Sequence, residues 1–184
     1  MNYGWLHKWF SFAKGGPFNK WYGNQWLKVN WEDNGKEIIN FTDKNGKQRS
    51  RPQNQKYYFK QGITGSFSGS KGVNFRFLPT GFITEGASGG IFFDKGFDEN
   101  EYTLGFLNSK LSFYIIDCLN PTVTTEVGDL QRIPFYQPSS FVSHIVSKLS
   151  NINVEIKKHL CDYRVIETNF VQSPLLAFQG ADLK

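Results

Sequence analysis

Between Trp26 and Trp31 apolar and polar residues alternate. Leu27, Val29 and Trp31 fall on one side and Lys28 and Asn30 on the other, the two-residue period of a half-buried strand. Asn34-Gly35 then offers a positive-φ turn, and Lys36 to Thr42 is predicted to return as a second strand. Asn45-Gly46 predicts another such turn, and Lys14-Gly-Gly-Pro17 a break in regular structure. Further on, Val73, Phe75 and Phe77 alternate with Asn74 and Arg76, so a strand here aims Asn74 and Arg76 away from the core. Pro79-Thr-Gly81 turns the chain into Phe82–Glu85, Gly86 to Gly90 make a permissive loop, and Ile91-Phe-Phe93 closes a meander of short strands.

The period then changes from two to nearly four. Asp98-Glu-Asn-Glu101 has the form of a helix N-cap. From Glu101 to Leu119, residues Leu104, Leu107, Leu111, Tyr114 or Ile115, and Cys118 make a buried helical stripe,. Gly105 interrupts it at about 1 kcal/mol of helix propensity, which predicts close packing against a strand. Asn120-Pro121 ends the helix, and Thr122 to Phe135 reads as a strand with Pro134 at an edge. Ser139-Ser140 caps a second helix, where Phe141, Ile145, Leu149, Ile152, Ile156 and Leu160 recur at steps of four, four, three, four and four. That stripe marks a packed helix or one arm of a helical pair. Short strands followed by helices predict an α+β fold, mainly antiparallel, with one packed helix and a C-terminal helical segment. The boundaries drawn are 1–138 for the first domain and 139–184 for the helical segment.

A chain of 184 residues suffices for one domain with a helical appendage, and at this size about 70% of the unfolded surface is buried without need of a disulfide or metal. Cys118 and Cys161 lie in apolar contexts and are read as packing residues of a reducing, cytoplasmic compartment. No apolar run approaches the ~20 residues of a membrane span. The net charge of +5 is unevenly placed. Residues 1–85 carry 13 Lys/Arg against 5 Asp/Glu, a balance of +8, and residues 86–184 carry 8 against 11, a balance of −3. A basic first half and a mildly acidic second half suggest that one part of the surface faces a polyanion. All five tryptophans (5, 9, 21, 26 and 31) precede residue 32. They form either a stacking platform for bases or sugars or, the favoured reading, a small core of large side chains.

The basic residues are densest between Arg49 and Phe67. Arg49, Arg51, Lys56 and Lys60 accompany Gln53, Asn54 and Gln55, followed by Tyr57-Tyr58-Phe59. Arg and Lys suit phosphates and the guanine edge, and Asn and Gln the adenine edge. Pro52 stiffens the start of the segment and the aromatics can pin its end to a core. The stretch is predicted to leave a sheet edge as a long loop. Gly62-Ile-Thr-Gly-Ser-Phe-Ser-Gly-Ser-Lys-Gly72 lacks the spacing of a phosphate-binding loop and reads as a DNA-contacting loop or a plain hairpin tip. His7, His144 and His159 are scattered with no metal-ligand spacing. Neither an N/D-P-P-Y/F/W loop nor a glycine-rich S-adenosylmethionine turn occurs, so the chain by itself reads as non-enzymatic.

The ordered segments KGGPFNKWYGN (14–24), VNWEDNGKEI (29–38), RSRPQNQKYYFKQGIT (49–64), LPTGFI (78–83), LGFLNSKLSFY (104–114), LNPT (119–122) and EVGDLQRIPF (126–135) carry a resemblance to a known family. Over roughly residues 8 to 176 the chain resembles the C-terminal half of the adenine-specific DNA methyltransferases of bacterial phage-exclusion (BREX) systems, the PglX type. These are relatives of type IIG restriction-modification enzymes, with a TaqI-like specificity domain. That family usually carries a Trp after the Gly-Ile-Thr, where this chain has Gly65, so no aromatic wedge is carried over.

The resemblance implies a target-recognition domain within a longer chain, docking on double-stranded DNA while a catalytic methyltransferase domain elsewhere in the parent holds S-adenosylmethionine and flips and methylates adenine. Under this reading Arg49, Arg51, Gln53, Asn54 and Lys60 contact base edges, and Lys14, Lys20, Lys56, Lys71 and Arg76 contact phosphates. Two other readings stay open. One is half of a non-enzymatic type I specificity subunit; the other is a carbohydrate or single-strand binder that uses its tryptophans.

Overall fold

Phe10 and Phe12 point one way and Trp9 and Ser11 the other along the first strand, β1 (Trp9–Ala13), in the computed structural model of the chain. The structure describes residues 8–85, 90–93 and 98–180. β1 pairs antiparallel with β2 (Leu27–Asn30), placing Phe10 opposite Val29 and Phe12 opposite Leu27. On its other edge β1 pairs in parallel with β5 (Phe82–Thr84), giving the order β2-β1-β5. Phe10, Phe12 and Val29 close over Trp31, Tyr58 and Ile83. The second sheet has the order β4-β3-β6, with β3 (Gly62–Ser66) central between antiparallel β4 (Asn74–Leu78) and β6 (Gly90–Ile91).

The first helical turn, α1 (Lys36–Ile39), stands where sequence alternation predicts a strand. Asn34 (φ 58°) and Gly35 (φ 77°) do form the expected positive-φ turn. Gly35 then accepts from the Ile39 N–H at 2.8 Å and launches a helix, so that β1 remains the one strand paired with β2 among the described residues. The glycine-rich run at 62–66 is likewise no loop: every residue of β3 is buried. At Gly65 an added Cβ would lie 2.5 Å from the Phe67 ring and 2.8 Å from the Asn74 carbonyl. The Phe67 ring thus takes the space that a larger residue at 65 would need. Only the tip that follows, around Gly69 and Gly72, is a turn.

β4 corrects a second expectation. Its Phe75 side packs into the main core, as predicted, but Asn74 and Arg76 are each 1% exposed. The chain at 15–19 lies over them, with the Asn19 N–H donating to Asn74 Oδ1 at 3.1 Å and Arg76 to the carbonyls of Asn19 and Gly15, and Trp21 then pairs in parallel along the edge of β4. A sheet covered on both faces has no wet side.

One predicted helix is two. α2 (Asp98–Leu107) ends and α3 (Lys110–Leu119) restarts on the Ser109 hydroxyl, which accepts from the Ser112 N–H. At the break, the Asn108 amide accepts from the Phe75 N–H (3.1 Å) and donates to Phe75 O (3.0 Å), tying the helices to β4. The Asp98 side chain lies outside the described residues, as do residues 86–89 of the glycine loop and Trp5. The predicted strand at 122–135 is instead a short helix, α4 (Val127–Gln131). There the Asn120 amide donates to Thr124 O (3.0 Å) and to Asp129 Oδ2 (2.6 Å), and the Glu126 N–H donates to that same oxygen at 2.9 Å.

α5 (Ser140–Cys161) starts on Ser139 as expected and packs along α2, but not through its apolar stripe. Ser150, Val154 and Cys161 are the buried residues. Gly105 is needed here, since an added Cβ would sit 2.4 Å from Ser150 Oγ and 2.8 Å from Val146 Cγ1. The close neighbour is a helix, not the predicted strand. After α5 the chain folds back through α6 (Pro174–Ala177). Glu167 is buried there and accepts from the N–H groups of Asn24 (3.1 Å) and Gln25 (3.2 Å). Of the described tryptophans, Trp31 is buried with Tyr58 and Ile83, Trp21 packs against the separate cluster around Ile63 and Phe75, and Trp9 is 61% exposed. The architecture is α+β.

Candidate nucleic-acid interface

The stretch from Phe41 to Lys60 rises from the first sheet as two linked pieces. The first is a small hairpin: the Arg49 N–H donates to Phe41 O, Thr42 bridges Gln48, and Asp43 Oδ1 accepts from the N–H groups of Asn45 and Lys47. Its tip presents Lys44 and Lys47, both exposed, which inspection of the sequence did not single out although they flank the Asn45-Gly46 turn. Arg49 Nε pairs with Asp43 Oδ2 at 3.2 Å, so this guanidinium braces the hairpin while remaining largely solvated.

The second piece runs from Arg51 to Lys60. Asn54 takes a left-handed conformation (φ 58°) ahead of a single 3-10 turn at Gln55–Tyr57. The aromatic triplet then fastens the loop, as its composition predicts. Tyr58 is buried edge-on to Trp31 (5.2 Å between rings), Phe59 packs on Phe10 (5.6 Å), and Tyr57 stacks on Phe92 at 4.9 Å with a 6° interplanar angle. The Phe59 N–H donates to Phe82 O, and Phe59 O accepts from the Gly81 N–H. Arg51, Gln53, Asn54, Gln55, Lys56 and Lys60 are exposed. Among the described residues, the side chains of Arg51, Gln53 and Asn54 make no hydrogen bond or ion pair within the chain. The loop is pinned at its end by rings and leaves its polar side chains unspent.

These residues surround one spot. Gln53, Asn54 and Tyr57 line a cavity of about 80 Å³ together with Thr84, Glu85, Gly90 and Phe92. Lys14 reaches the same wall through Glu85 at 3.6 Å. Lys56 and Lys60 place their ammonium groups 4.8 and 5.5 Å from the centre of the Tyr57 ring. Cations therefore stand near a recess lined by two amides, aromatic rings and the Glu85 carboxylate. Thr84 at the end of β5, Glu85 just after it and Phe92 just after β6 are distant in sequence, and no local signal marked them.

The remaining predicted contacts lie elsewhere. Lys71 is exposed on the β3–β4 turn, at the far end of β3 from Lys60, about 17 Å away at the strand rise per residue. Lys20 is half-buried and donates to Asn108 O at 2.9 Å, where burial holds its pKa below the ordinary lysine value. Arg76 is the clear correction. Its Nη1 donates to Ser66 Oγ (2.9 Å), Asn74 Oδ1 (2.8 Å) and Asn19 O (3.3 Å), and its Nη2 to Gly15 O (3.4 Å). Burial lowers its pKa to about 10 against the opposing field of Glu167. A guanidinium 1% exposed and bonded to four groups of its own chain is out of reach of a phosphate.

Among the described residues no glycine-rich turn leads from a parallel sheet into a helix. No cluster of His, Cys, Asp and Glu among them could hold a metal ion, and no helix is long and apolar enough to cross a membrane.

The chain is homologous to adenine-specific methyltransferases. One is the adenine-specific methyltransferase PglX of Lacticaseibacillus casei (strain Zhang), 35% identical over 133 residues, which cover 72% of this chain and 11% of that protein. Another is the adenine-specific methyltransferase BrxX of Escherichia coli O9:H4 (strain HS), 27% identical over 176 residues, covering 94% of this chain and 13% of that protein. The chain thus spans little more than a tenth of the length of these curated relatives. No family model matches it.

Proposed function

We propose that this chain is the target-recognition part of an adenine-specific DNA methyltransferase of the phage-exclusion kind. It docks on duplex DNA while a catalytic domain elsewhere in the parent protein binds S-adenosylmethionine and methylates adenine. The observation that carries the reading is the 51–60 loop. Its aromatic residues are locked into two clusters and its guanidinium, amide and ammonium groups face solvent, Arg51, Gln53 and Asn54 without hydrogen-bond or ion-pair partners among the described residues. Homology to two adenine-specific methyltransferases supports it independently. Arg51, Gln53, Asn54 and Lys60, with Arg49 behind them, reach for base edges. Lys14 and Lys56 hold the backbone beside them, and Lys71 a phosphate one strand-length away.

The test is competition binding of the 184-residue chain to a library of duplex oligonucleotides at two salt concentrations. Arg51→Ala should cost about 1–3 kcal/mol at one position of the preferred site, whereas Lys56→Ala should weaken all sequences alike and reduce the salt slope by about one. Both side chains are exposed, so folding is not at risk. An Arg51→Ala variant with unchanged sequence preference overturns the base-reading role. Equal quenching by single strands or oligosaccharides overturns the duplex reading in favour of the exposed Trp9 surface.

A further inference from the structure

The apolar stripe of α5 is left uncovered by the fold. Phe141 is 73% exposed, Ile145 41%, Leu149 55%, Ile152 46%, Ile156 53% and Leu160 51%, on the side of the helix opposite the buried Ser150 and Val154, with Ile152 and Ile156 at the wall of a cavity that Glu101 of α2 also lines. Six such side chains make an apolar patch of roughly 600 Å², larger than scattered surface hydrophobes require and typical of an interaction site. DNA is not the occupant, because the stripe offers a polyanion no donors and no charge along its centre.

The spacing of the stripe identifies what covers it. Steps of four, four, three, four and four read identically in both directions. Two antiparallel copies of α5 centred between Ser150 and Asn151 therefore set Phe141 opposite Leu160, Ile145 opposite Ile156 and Leu149 opposite Ile152, in all six places at once. The repeat is eleven residues, about 3.67 per turn, so the stripe runs almost straight along the helix and needs little supercoiling to stay in contact. Charge agrees with this direction. Lys148 and Glu155 lie on one flank of the stripe, and a two-fold axis across the helices keeps that flank beside its own counterpart. Lys148 of one copy then comes within about 3 Å, along the axis, of Glu155 of the other. A parallel pairing would instead set the Lys148 and Glu155 flank against the opposite flank, where Val146 and Asn153 stand, and lose this charge pair,. Covering both stripes removes on the order of 1,200 Å², the lower bound for a stable specific interface.

We propose that α5 is a homodimerisation element, docking antiparallel on α5 of a second copy of this chain. The proposal goes beyond DNA recognition and does not depend on it. Sedimentation velocity and light scattering on the 184-residue chain across the micromolar range should show the mass doubling with concentration. Ile152→Asp, an exposed position, should raise the dissociation constant at least about tenfold with unchanged circular dichroism. Lys148→Glu should weaken the dimer, and adding Glu155→Lys should restore it.

Direction is read by cross-linking in a Cys118→Ser background. A mixture of Phe141→Cys and Leu160→Cys proteins should form an intermolecular disulfide that neither forms alone. A monomer at every concentration, a dimer indifferent to Ile152→Asp, or a disulfide within the Phe141→Cys protein alone overturns the proposal. If this face is instead covered by another part of a longer parent chain, the 184-residue protein stays monomeric, which is the first of those outcomes.

Discussion

Glu167 joins the last part of the chain to the segment that covers β4, and its removal should be felt throughout. Its side chain is 2% exposed. Its two oxygens accept separately from the N–H groups of Asn24 (3.1 Å) and Gln25 (3.2 Å), more than 140 residues away in sequence. Its charge also opposes the cost of burying the Arg76 guanidinium. Each buried hydrogen bond to a charged acceptor contributes about 1.5–3 kcal/mol.

Glu167→Ala leaves two buried N–H groups without acceptors and Arg76 without its nearest compensating charge, a loss of about 3–5 kcal/mol. Glu167→Gln keeps one acceptor but turns an NH₂ towards the other N–H, for about half that loss. At 2–4 °C per kcal/mol for a domain of this size, Glu167→Ala should lower Tm by roughly 6–20 °C and Glu167→Gln by roughly half as much. Thermal melts followed by circular dichroism, with urea titrations for the free energy, measure both. An Ala variant melting within about 2 °C of the parent would refute the claim that this carboxylate clamps the fold.

Two further outcomes follow from the packing. Gly105→Ala gains about 1 kcal/mol of helix propensity, but its methyl group meets Ser150 and Val146 on α5. A net loss of about 1–3 kcal/mol is expected in urea titrations, and Ser150→Gly in the same chain should recover part of it. Burial pushes the Cys161 thiol up to about 11, while Cys118 is exposed. Iodoacetamide at neutral pH should therefore label Cys118 in the native protein and Cys161 only on unfolding, as read by mass spectrometry. Because the folded state holds the Cys161 proton more tightly than the unfolded one, stability should also fall as pH rises from about 9 towards 11.

Much of this chain was legible before its fold was known wherever a local rule was strong. The two Asn-Gly turns, the Ser139 cap, the stop at Asn120-Pro121 and the anchoring of the 49–60 loop by Tyr58 and Phe59 all depend on a few neighbouring residues. The α+β class and the solvated arm of Arg51, Gln53 and Asn54 follow from composition and period alone. What failed did so because a distant segment intervened. Gly62–Ser66 becomes a central strand because β4 and β6 close on both sides. Arg76 is buried because residues 15–19 lie across a face that alternation marks as wet.

The α5 stripe fails in the opposite sense: its period marks a buried face, yet Ser150, Val154 and Gly105 let α2 pack closer on the other side. Sequence alone determined where the backbone turns and which polar groups gather in one loop, because those depend on residues within a few positions of each other. Only the tertiary structure decided which of two alternating faces meets water, since that depends on what else arrives there.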